Sequence, residues 1–223
     1  MKTIYSLFDK DQISNLPIVH FSGRIYVITS RREAERAVEH LLTAPILGID
    51  TETRPSFKKG QSNKVALLQV ATHEACFLFR LNRIGMTAAI IRLLENKQVK
   101  MIGLSLHDDI AMLRRRAAFT PGYFIDLQQQ VREIGIEDMS LKKIYANLFH
   151  EKISKRQQLS NWEADNLTEK QQQYAAIDAW ACIKIYEEVC RLRDEKDYNL
   201  IVVPRPEPAE QQHHSDNPTE HEQ

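Results

Sequence analysis

Two acidic residues separated by one threonine interrupt a strongly apolar stretch of the chain. Asp50 and Glu52 lie in the strand-like segment ILGIDTET, residues 46–53. Because side chains alternate along a strand, both carboxylates share a face with Gly48, and their Cα atoms are about 6.5 Å apart. Two carboxylates at this spacing could bind one cation, and Gly48 leaves room beside them. The alternative is that the strand ends near Asp50 and both acids face water at a turn.

A further acid lies on a predicted helix in the segment HDDIAMLRRR, residues 107–116. At about 100° per residue, Asp109 falls between Met112 and Leu113 on the apolar stripe, whereas Asp108 projects from its edge. A carboxylate on a buried stripe is costly unless it is paired or binds a metal. The alternative is an acid stabilised by the helix dipole, which would suit either aspartate.

Asp178 lies near the middle of the apolar face of a long predicted helix. A capping box opens this helix at Thr168, too far from Asp178 for stabilisation by the dipole. A buried basic partner would be the alternative to a metal, but Lys170 and Lys184 on the same helix project elsewhere. Tyr174 lies one turn before Asp178 on the same side. Taken alone, Tyr174 is typical of a core tyrosine whose hydroxyl needs one hydrogen-bond partner.

The four acids together would form a centre of net charge −4 that could not stay ionised without cations. Hard oxygen ligands in this number suit Mg²⁺ or Mn²⁺. Two such ions about 4 Å apart can clamp the attacking and leaving oxygens in phosphodiester hydrolysis. The residues therefore predict two divalent cations as cofactors and a phosphodiester as the substrate.

The composition limits the classes of protein to which the chain can belong. Its 223 residues suit one domain. The 30 Lys plus Arg balance the 30 Asp plus Glu, so an anionic substrate would have to be attracted locally. The three cysteines, Cys76, Cys182 and Cys190, form no CxxC pair and are predicted to be buried thiols in a reducing compartment. No signal peptide or apolar run of about 18 residues is visible, so we expect a cytoplasmic protein with no membrane partner.

Predicted strands come first along the chain and helices dominate later. The predicted strands cover residues 24–30, 46–53, 65–72, 75–81, 100–106 and 124–126. The predicted helices cover residues 32–42, 88–96, 108–116, 127–134, 141–149 and 168 to about 194. Residues 73–74 suit a hairpin, which would make three neighbouring strands antiparallel. The pattern predicts an α/β fold with one mixed sheet covered by helices.

The ends of the chain carry weaker signals. We expect residues 1–203 to form the single domain, with a short N-terminal lead-in. Residues 204–223, PRPEPAEQQHHSDNPTEHEQ, contain no apolar side chain larger than alanine. Such a segment cannot bury enough surface to offset the entropy of ordering, so it is predicted to be a disordered polar tail.

Three segments resemble the motifs of the DEDD 3′-5′ exonucleases: ILGIDTETRPSF, GLSLHDDIAML and LTEKQQQYAAIDAW. The Tyr-x-x-x-Asp pattern of the third is typical of the DEDDy branch, as in the exonuclease domains of ribonuclease D and the Werner-syndrome helicase. The resemblance runs from about Arg24 to Arg193 and implies a ribonuclease H-like mixed sheet with helices on both faces. It implies that Tyr174 orients, or helps to deprotonate, the attacking water. Carried over by position, the catalytic acids that hold two metal ions are Asp50, Glu52, Asp109 and Asp178.

The resemblance also implies a nucleic-acid substrate with a single-stranded or recessed 3′ end, and it does not separate DNA from RNA. Phe57 offers a stacking surface and Lys58 a phosphate contact, which is the usual way to hold a single strand. The alternative for each loop residue is a solvated side chain. The candidate substrate-binding residues are Thr51, Phe57, Lys58, Lys155 and Arg156.

Gln69 interrupts the predicted strand VALLQVAT, where it either supports the metal site indirectly or satisfies local backbone groups. An alternative function is a catalytically silent nucleic-acid-binding or scaffold module of the same fold. A purely structural α/β domain is disfavoured because four unpaired buried acids would be costly.

Overall fold

A computed structural model describes residues 1–56, 58, 60, 63–154 and 156–204. The predictions for Phe57, Lys155 and residues 205–223 fall outside this described part. The strands are β1 (Lys2–Tyr5), β2 (Arg24–Ile28), β3 (Ile46–Thr53), β4 (Val65–Ala71), β5 (Ala75–Phe79), β6 (Lys100–Gly103), β7 (Phe124–Asp126) and β8 (Tyr198–Ile201). The helices are α1 (Lys10–Ile13), α2 (Arg31–Leu41), α3 (Leu81–Ile84), α4 (Ala88–Leu94), α5 (Leu106–Arg114), α6 (Leu127–Arg132), α7 (Leu141–Phe149) and α8 (Glu169–Glu195).

Six of the strands form one mixed sheet in the order β2-β5-β4-β3-β6-β7. β4 pairs antiparallel with both β3 and β5, which confirms the predicted run of three antiparallel strands. The remaining pairs, β2 with β5, β3 with β6 and β6 with β7, are parallel. The strand β3, which carries Asp50 and Glu52, therefore lies inside the sheet rather than at its edge.

Helices cover both faces of this sheet, as predicted. One core lies between the sheet and helices α6, α7 and α8, and includes Ile102, Leu127 and Ile177. The other core lies between the sheet and helices α2, α4 and α5, and includes Leu47 and Ile49. Because side chains alternate along β3, Gly48, Asp50 and Glu52 lie on the opposite face from Leu47 and Ile49, which is the face that α8 covers.

The two predicted capping boxes are confirmed. Ser30 and Glu33 exchange side-chain-to-backbone hydrogen bonds at the start of α2, and Thr168 and Gln171 do so at the start of α8. These reciprocal bonds satisfy amides that would otherwise lack partners and fix where each helix begins.

Several of the predicted boundaries of strands and helices are wrong. The strand predicted over residues 100–106 ends at Gly103, because Ser105 takes a left-handed conformation with φ of 60° and opens α5. The short helices α1 and α3 were not predicted.

The N-terminal lead-in is a strand: β1 pairs in parallel with β8 in a separate two-stranded sheet, with Lys2 opposite Tyr198. Residues so distant in sequence give no local signal for such pairing.

Cys76 and Cys182 are buried as predicted, whereas Cys190, near the end of α8, is half-buried. Among the described residues, no helix has the length and apolarity needed to cross a membrane.

Candidate active site

The close packing of α8 on β3 depends on Gly48. A Cβ atom added to Gly48 would lie 1.9 Å from the carbonyl oxygen of Ala179. The missing side chain therefore lets the helix backbone approach the strand more closely than any other residue would allow. Asp178, the neighbour of Ala179, is thereby brought beside the two acids of β3. The space next to Gly48, which was expected to leave room for a cation, is instead filled by α8.

Asp50, Glu52 and Asp178 form a compact group of carboxylates. Their side chains each offer an oxygen atom within 4.8 Å of the others. β3 continues to Thr53, so the alternative in which the strand ends at a turn near Asp50 is wrong. Asp178 is only 5% exposed, whereas Asp50 and Glu52 are half-buried. A strand and a distant helix thus present three acids to one point.

Burial and mutual repulsion raise the pKa values of this group. Burial, followed by the charges of Asp109, Asp178 and Glu52, raises the pKa of Asp50 well above its ordinary value. Burial, and then the charge of Asp178, raises the pKa of Glu52 to about 9. Burial raises the pKa of Asp178 to about 6. The ionised forms are therefore disfavoured unless positive charge is supplied.

These residues fit a divalent cation. Within the described part of the chain, the Oδ1 atom of Asp178 is buried and has no hydrogen-bond partner. Carboxylate oxygens are the ligands that Mg²⁺ and Mn²⁺ prefer. An unpartnered buried oxygen next to two further carboxylates is costly in the absence of a cation and is satisfied by one.

Asp109 approaches the group from α5. Asp126 at the end of β7 accepts hydrogen bonds from the backbone N–H groups of Ser105 at 3.2 Å and Leu106 at 2.9 Å, and so fixes the start of that helix. The carboxylate of Asp109 accepts a hydrogen bond from the hydroxyl of Thr51. Burial raises the pKa of Asp109 to about 6, although the hydrogen bond from Thr51 lowers it. Asp109 is thus oriented by Thr51 and lies outside the group of three carboxylates.

Tyr174 is held between an aromatic ring and an acid. Its ring packs against Trp162, with centroids 6.0 Å apart and planes inclined by 35°. Asp178 follows one turn later on the same helix, and burial, followed by the charges of Asp178 and Glu52, raises the pKa of Tyr174 far above its ordinary value. The phenol therefore stays protonated at neutral pH. It can direct a hydrogen bond, but it is a poor general base in this environment.

A basic residue that the sequence did not reveal completes the group. Lys142 on α7 is 8% exposed, and its Nζ lies 3.4 Å from the hydroxyl oxygen of Tyr174. Its charge lowers the pKa values of Glu52 and Asp178 against the effect of burial. The sequence offers Lys170 and Lys184 on the helix of Asp178, and helical spacing predicts that both project elsewhere. The partner arrives from another helix, and nothing in the local pattern distinguishes Lys142 from its neighbours.

The residues assigned to the substrate are distributed around this centre. Lys58 is exposed in the loop after β3. Arg156 lines a groove of 330 Å³ together with Tyr174, Ile177 and Lys170. The hydroxyl of Thr51 donates its hydrogen bond to Asp109. The groove places apolar and basic side chains directly beside Tyr174.

Gln69 lies opposite Asp50 in the ladder between β3 and β4 and is fully buried. Among the described residues, neither its amide oxygen nor its amide nitrogen has a hydrogen-bond partner. Directly opposed residues of an antiparallel pair have Cβ atoms about 5 Å apart, so this amide lies on the same face as the acids. The alternative in which Gln69 satisfies local backbone groups is therefore wrong, whereas indirect support of the metal site stays a prediction.

Solved structures share this fold. The EXO domain of Aedes aegypti Nibbler superposes with a TM-score of 0.70 and 19% identity, covering 79% of this chain and 91% of that domain. Escherichia coli RNase D superposes with a TM-score of 0.69 and 18% identity, covering 77% of this chain and 46% of that protein. At these identities, the similarity shows a common fold.

Curated relatives are similar over a larger share of this chain than of their own length. The mouse bifunctional 3′-5′ exonuclease/ATP-dependent helicase WRN is 29% identical over 190 residues, which is 81% of this chain and 14% of that protein. The Drosophila melanogaster exonuclease 3′-5′ domain-containing protein 2 is 32% identical over 156 residues, which is 68% of this chain and 26% of that protein. A family model described as 3′-5′ exonuclease matches residues 25–191, which include all four acids and Tyr174. This chain therefore belongs to the 3′-5′ exonuclease family.

Proposed function

We propose that this chain is a metal-dependent 3′-5′ exonuclease that hydrolyses phosphodiester bonds from the 3′ end and releases nucleoside 5′-monophosphates. The observation that carries the proposal is the group of three carboxylates within 4.8 Å of one another, contributed by β3 and α8. These residues lie inside the segment that matches the exonuclease family. The proposed cofactors are two divalent cations, Mg²⁺ or Mn²⁺.

The proposed roles of the acids follow from their positions. Asp50, Glu52 and Asp178 would hold the cations, and Asp109, oriented by Thr51, would complete the ligand set from α5. Bound divalent cations supply Lewis-acid polarisation of the phosphodiester and a lowered pKa of the attacking water. Asp126 would act at one remove, since it fixes the start of the helix that carries Asp109.

Tyr174 would orient the attacking water through its hydroxyl. The raised pKa of this phenol and its place one turn before Asp178 support positioning over proton abstraction. The ring of Trp162 packs against the ring of Tyr174 and restricts its position. Positioning of a nucleophile within a few tenths of an ångström has a large effect on rate, because the reactants are then held close to the reactive geometry.

The groove beside Tyr174 is a candidate path for the end of the strand. Its apolar wall can contact bases or sugars, and Arg156 and Lys170 can contact phosphates. A solved structure of similar fold, that of Trypanosoma brucei RNase D, is a complex with RNA U12, at 16% identity and a TM-score of 0.66. That precedent supports a single strand of nucleic acid as the substrate, either DNA or RNA.

Digestion of end-labelled oligonucleotides tests the proposal. Single-stranded DNA, duplex DNA with a recessed 3′ end and structured RNA are incubated side by side with Mg²⁺, Mn²⁺ or a chelator. We expect a ladder of shortened products that requires a divalent cation and is absent for Asp178→Ala. A folded wild-type protein that binds these strands and leaves all of them intact would contradict the proposal and favour the catalytically silent module. Activity that persists in folded Asp178→Ala would contradict the assignment of the acids.

A further inference from the structure

Lys142 is a buried lysine near the start of α7, and its neighbour Lys143 provides a direct comparison. Lys142 is 8% exposed, whereas Lys143 is partly exposed and forms an ion pair with Asp138 at 3.0 Å. Lysine is rarely buried because removal of an ammonium group from water is costly. The placement of Lys142 therefore indicates that the acids around it compensate for this cost.

Lys142 contacts Tyr174 in two ways. Its Nζ lies 3.4 Å from the hydroxyl oxygen and 5.1 Å from the centroid of the ring. The same Nζ lies 3.5 Å from the Oε1 atom of Gln158. A tyrosine hydroxyl has one proton and two lone pairs. If Lys142 occupies a lone pair, the proton of Tyr174 is free to point towards Asp178, which lies one turn further along α8.

Lys142 also acts on the acids through its charge. The ammonium group is buried and lies 3.4 Å from the hydroxyl of Tyr174, one turn before Asp178 on α8, and it interacts electrostatically with Glu52 and Asp178, two of the three grouped carboxylates. The ammonium group therefore supplies part of the positive charge that a bound cation would supply. A resident positive charge near the ligands necessarily weakens the attraction of the same ligands for a second cation.

We propose that Lys142 is a positioning residue of the active site that holds the hydroxyl of Tyr174 in place and partly neutralises Glu52 and Asp178 before divalent cations bind. The part concerning Tyr174 rests on the proposed exonuclease function, whereas the part concerning the acids does not. Lys142 thus lowers the free-energy cost of the grouped acids in the cation-free site. It also lowers the affinity of the site for divalent cations. It also keeps Tyr174 ready to orient the nucleophile.

The test compares Lys142→Met with Lys143→Met, which makes the same substitution at the next residue of the same helix. The first measurement is Mn²⁺ binding by calorimetry, which needs no turnover. The second is kcat and KM for an end-labelled oligonucleotide at saturating Mn²⁺. We expect Lys142→Met to bind Mn²⁺ about tenfold more tightly, since a competing charge is gone. We expect its kcat to fall about tenfold with KM within about twofold, since a hydrogen bond to Tyr174 is lost.

Lys143→Met should match wild type in both measurements. Lys142→Arg, which keeps the charge, should restore the wild-type affinity for Mn²⁺. The proposal is overturned if Lys142→Met matches Lys143→Met in either Mn²⁺ affinity or kcat. If Lys142→Met fails to fold, Lys142→Gln takes its place with the same expectation for Mn²⁺. Should the wild-type protein prove inactive, the proposed exonuclease function fails, and the calorimetric comparison still decides the role of the charge.

Discussion

Asp178→Asn should stabilise the cation-free protein at alkaline pH. Burial raises the pKa of Asp178 from 3.8 to about 6 in the folded state. The folded protein therefore binds a proton more tightly than the unfolded chain does, and stability is lost as the pH rises through this range. A rise of this size in the pKa corresponds to roughly 3 kcal/mol of lost stability above pH 7. Asparagine keeps the size and hydrogen-bonding oxygen of the protonated acid, and it removes this cost.

Urea unfolding in the presence of a chelator measures the effect. At pH 8 we expect the free energy of unfolding of Asp178→Asn to exceed that of wild type by roughly 3 kcal/mol. At pH 4.5 the same difference should shrink to roughly 1 kcal/mol, because the wild-type carboxyl is then mostly protonated when folded. Asp108→Asn is the control, since Asp108 is exposed in the first turn of α5. Its loss should cost at most about 1 kcal/mol.

The reasoning is refuted if Asp178→Asn is no more stable than wild type at pH 8. It is equally refuted if the difference between the two proteins does not depend on pH. Addition of Mn²⁺ should reverse the order of stability, because ligand binding stabilises the folded state of wild type by mass action, and the variant lacks one of the proposed ligands.

Three further substitutions test how the site is positioned. Gly48→Ala places a Cβ 1.9 Å from the carbonyl oxygen of Ala179, so it should separate α8 from β3, lower the free energy of unfolding by about 2 kcal/mol or more and abolish cleavage; wild-type unfolding in urea would contradict this. Asp126→Ala removes the acceptor for the backbone amides of Ser105 and Leu106 at the start of α5 and of Gln128 in α6, so it should cost about 1–2 kcal/mol in urea unfolding, with reduced cleavage; unchanged stability would show that these amides find other partners. Tyr174→Phe keeps the ring against Trp162 and removes the hydroxyl, so kcat should fall at least about tenfold while KM stays within about twofold; an unchanged kcat would remove Tyr174 from the mechanism.

Much of the fold and of the acid group could be predicted because the signals are local. Alternation along β3 places Asp50 and Glu52 on one face, and helical spacing places Tyr174 and Asp178 on one side of α8. The capping box at Thr168 fixes where α8 begins, and therefore which residues face the sheet. Each of these statements depends only on residues a few positions apart.

What could not be predicted depends on contacts between distant segments. Lys142 reaches Tyr174 from α7, and Asp126 holds α5 from the end of β7. The sequence around Lys142 contains a second lysine at position 143, and only the packing of α7 decides which of the two is buried. The expectation that Gly48 leaves room for a cation is wrong, because that space is filled by a helix formed by residues far along the chain.

The charges of the site also bear on how a strand of nucleic acid could bind at all. The chain has no net charge, and the acids beside Tyr174 would repel a phosphodiester brought close to them. Lys142 offsets only part of this repulsion, and Arg156 and Lys170 lie along the neighbouring groove. Under the proposed function, we therefore expect divalent cations to be needed for the substrate to approach the site as well as for its cleavage. Because linkage is reciprocal, the presence of the strand should in turn tighten the binding of the cations.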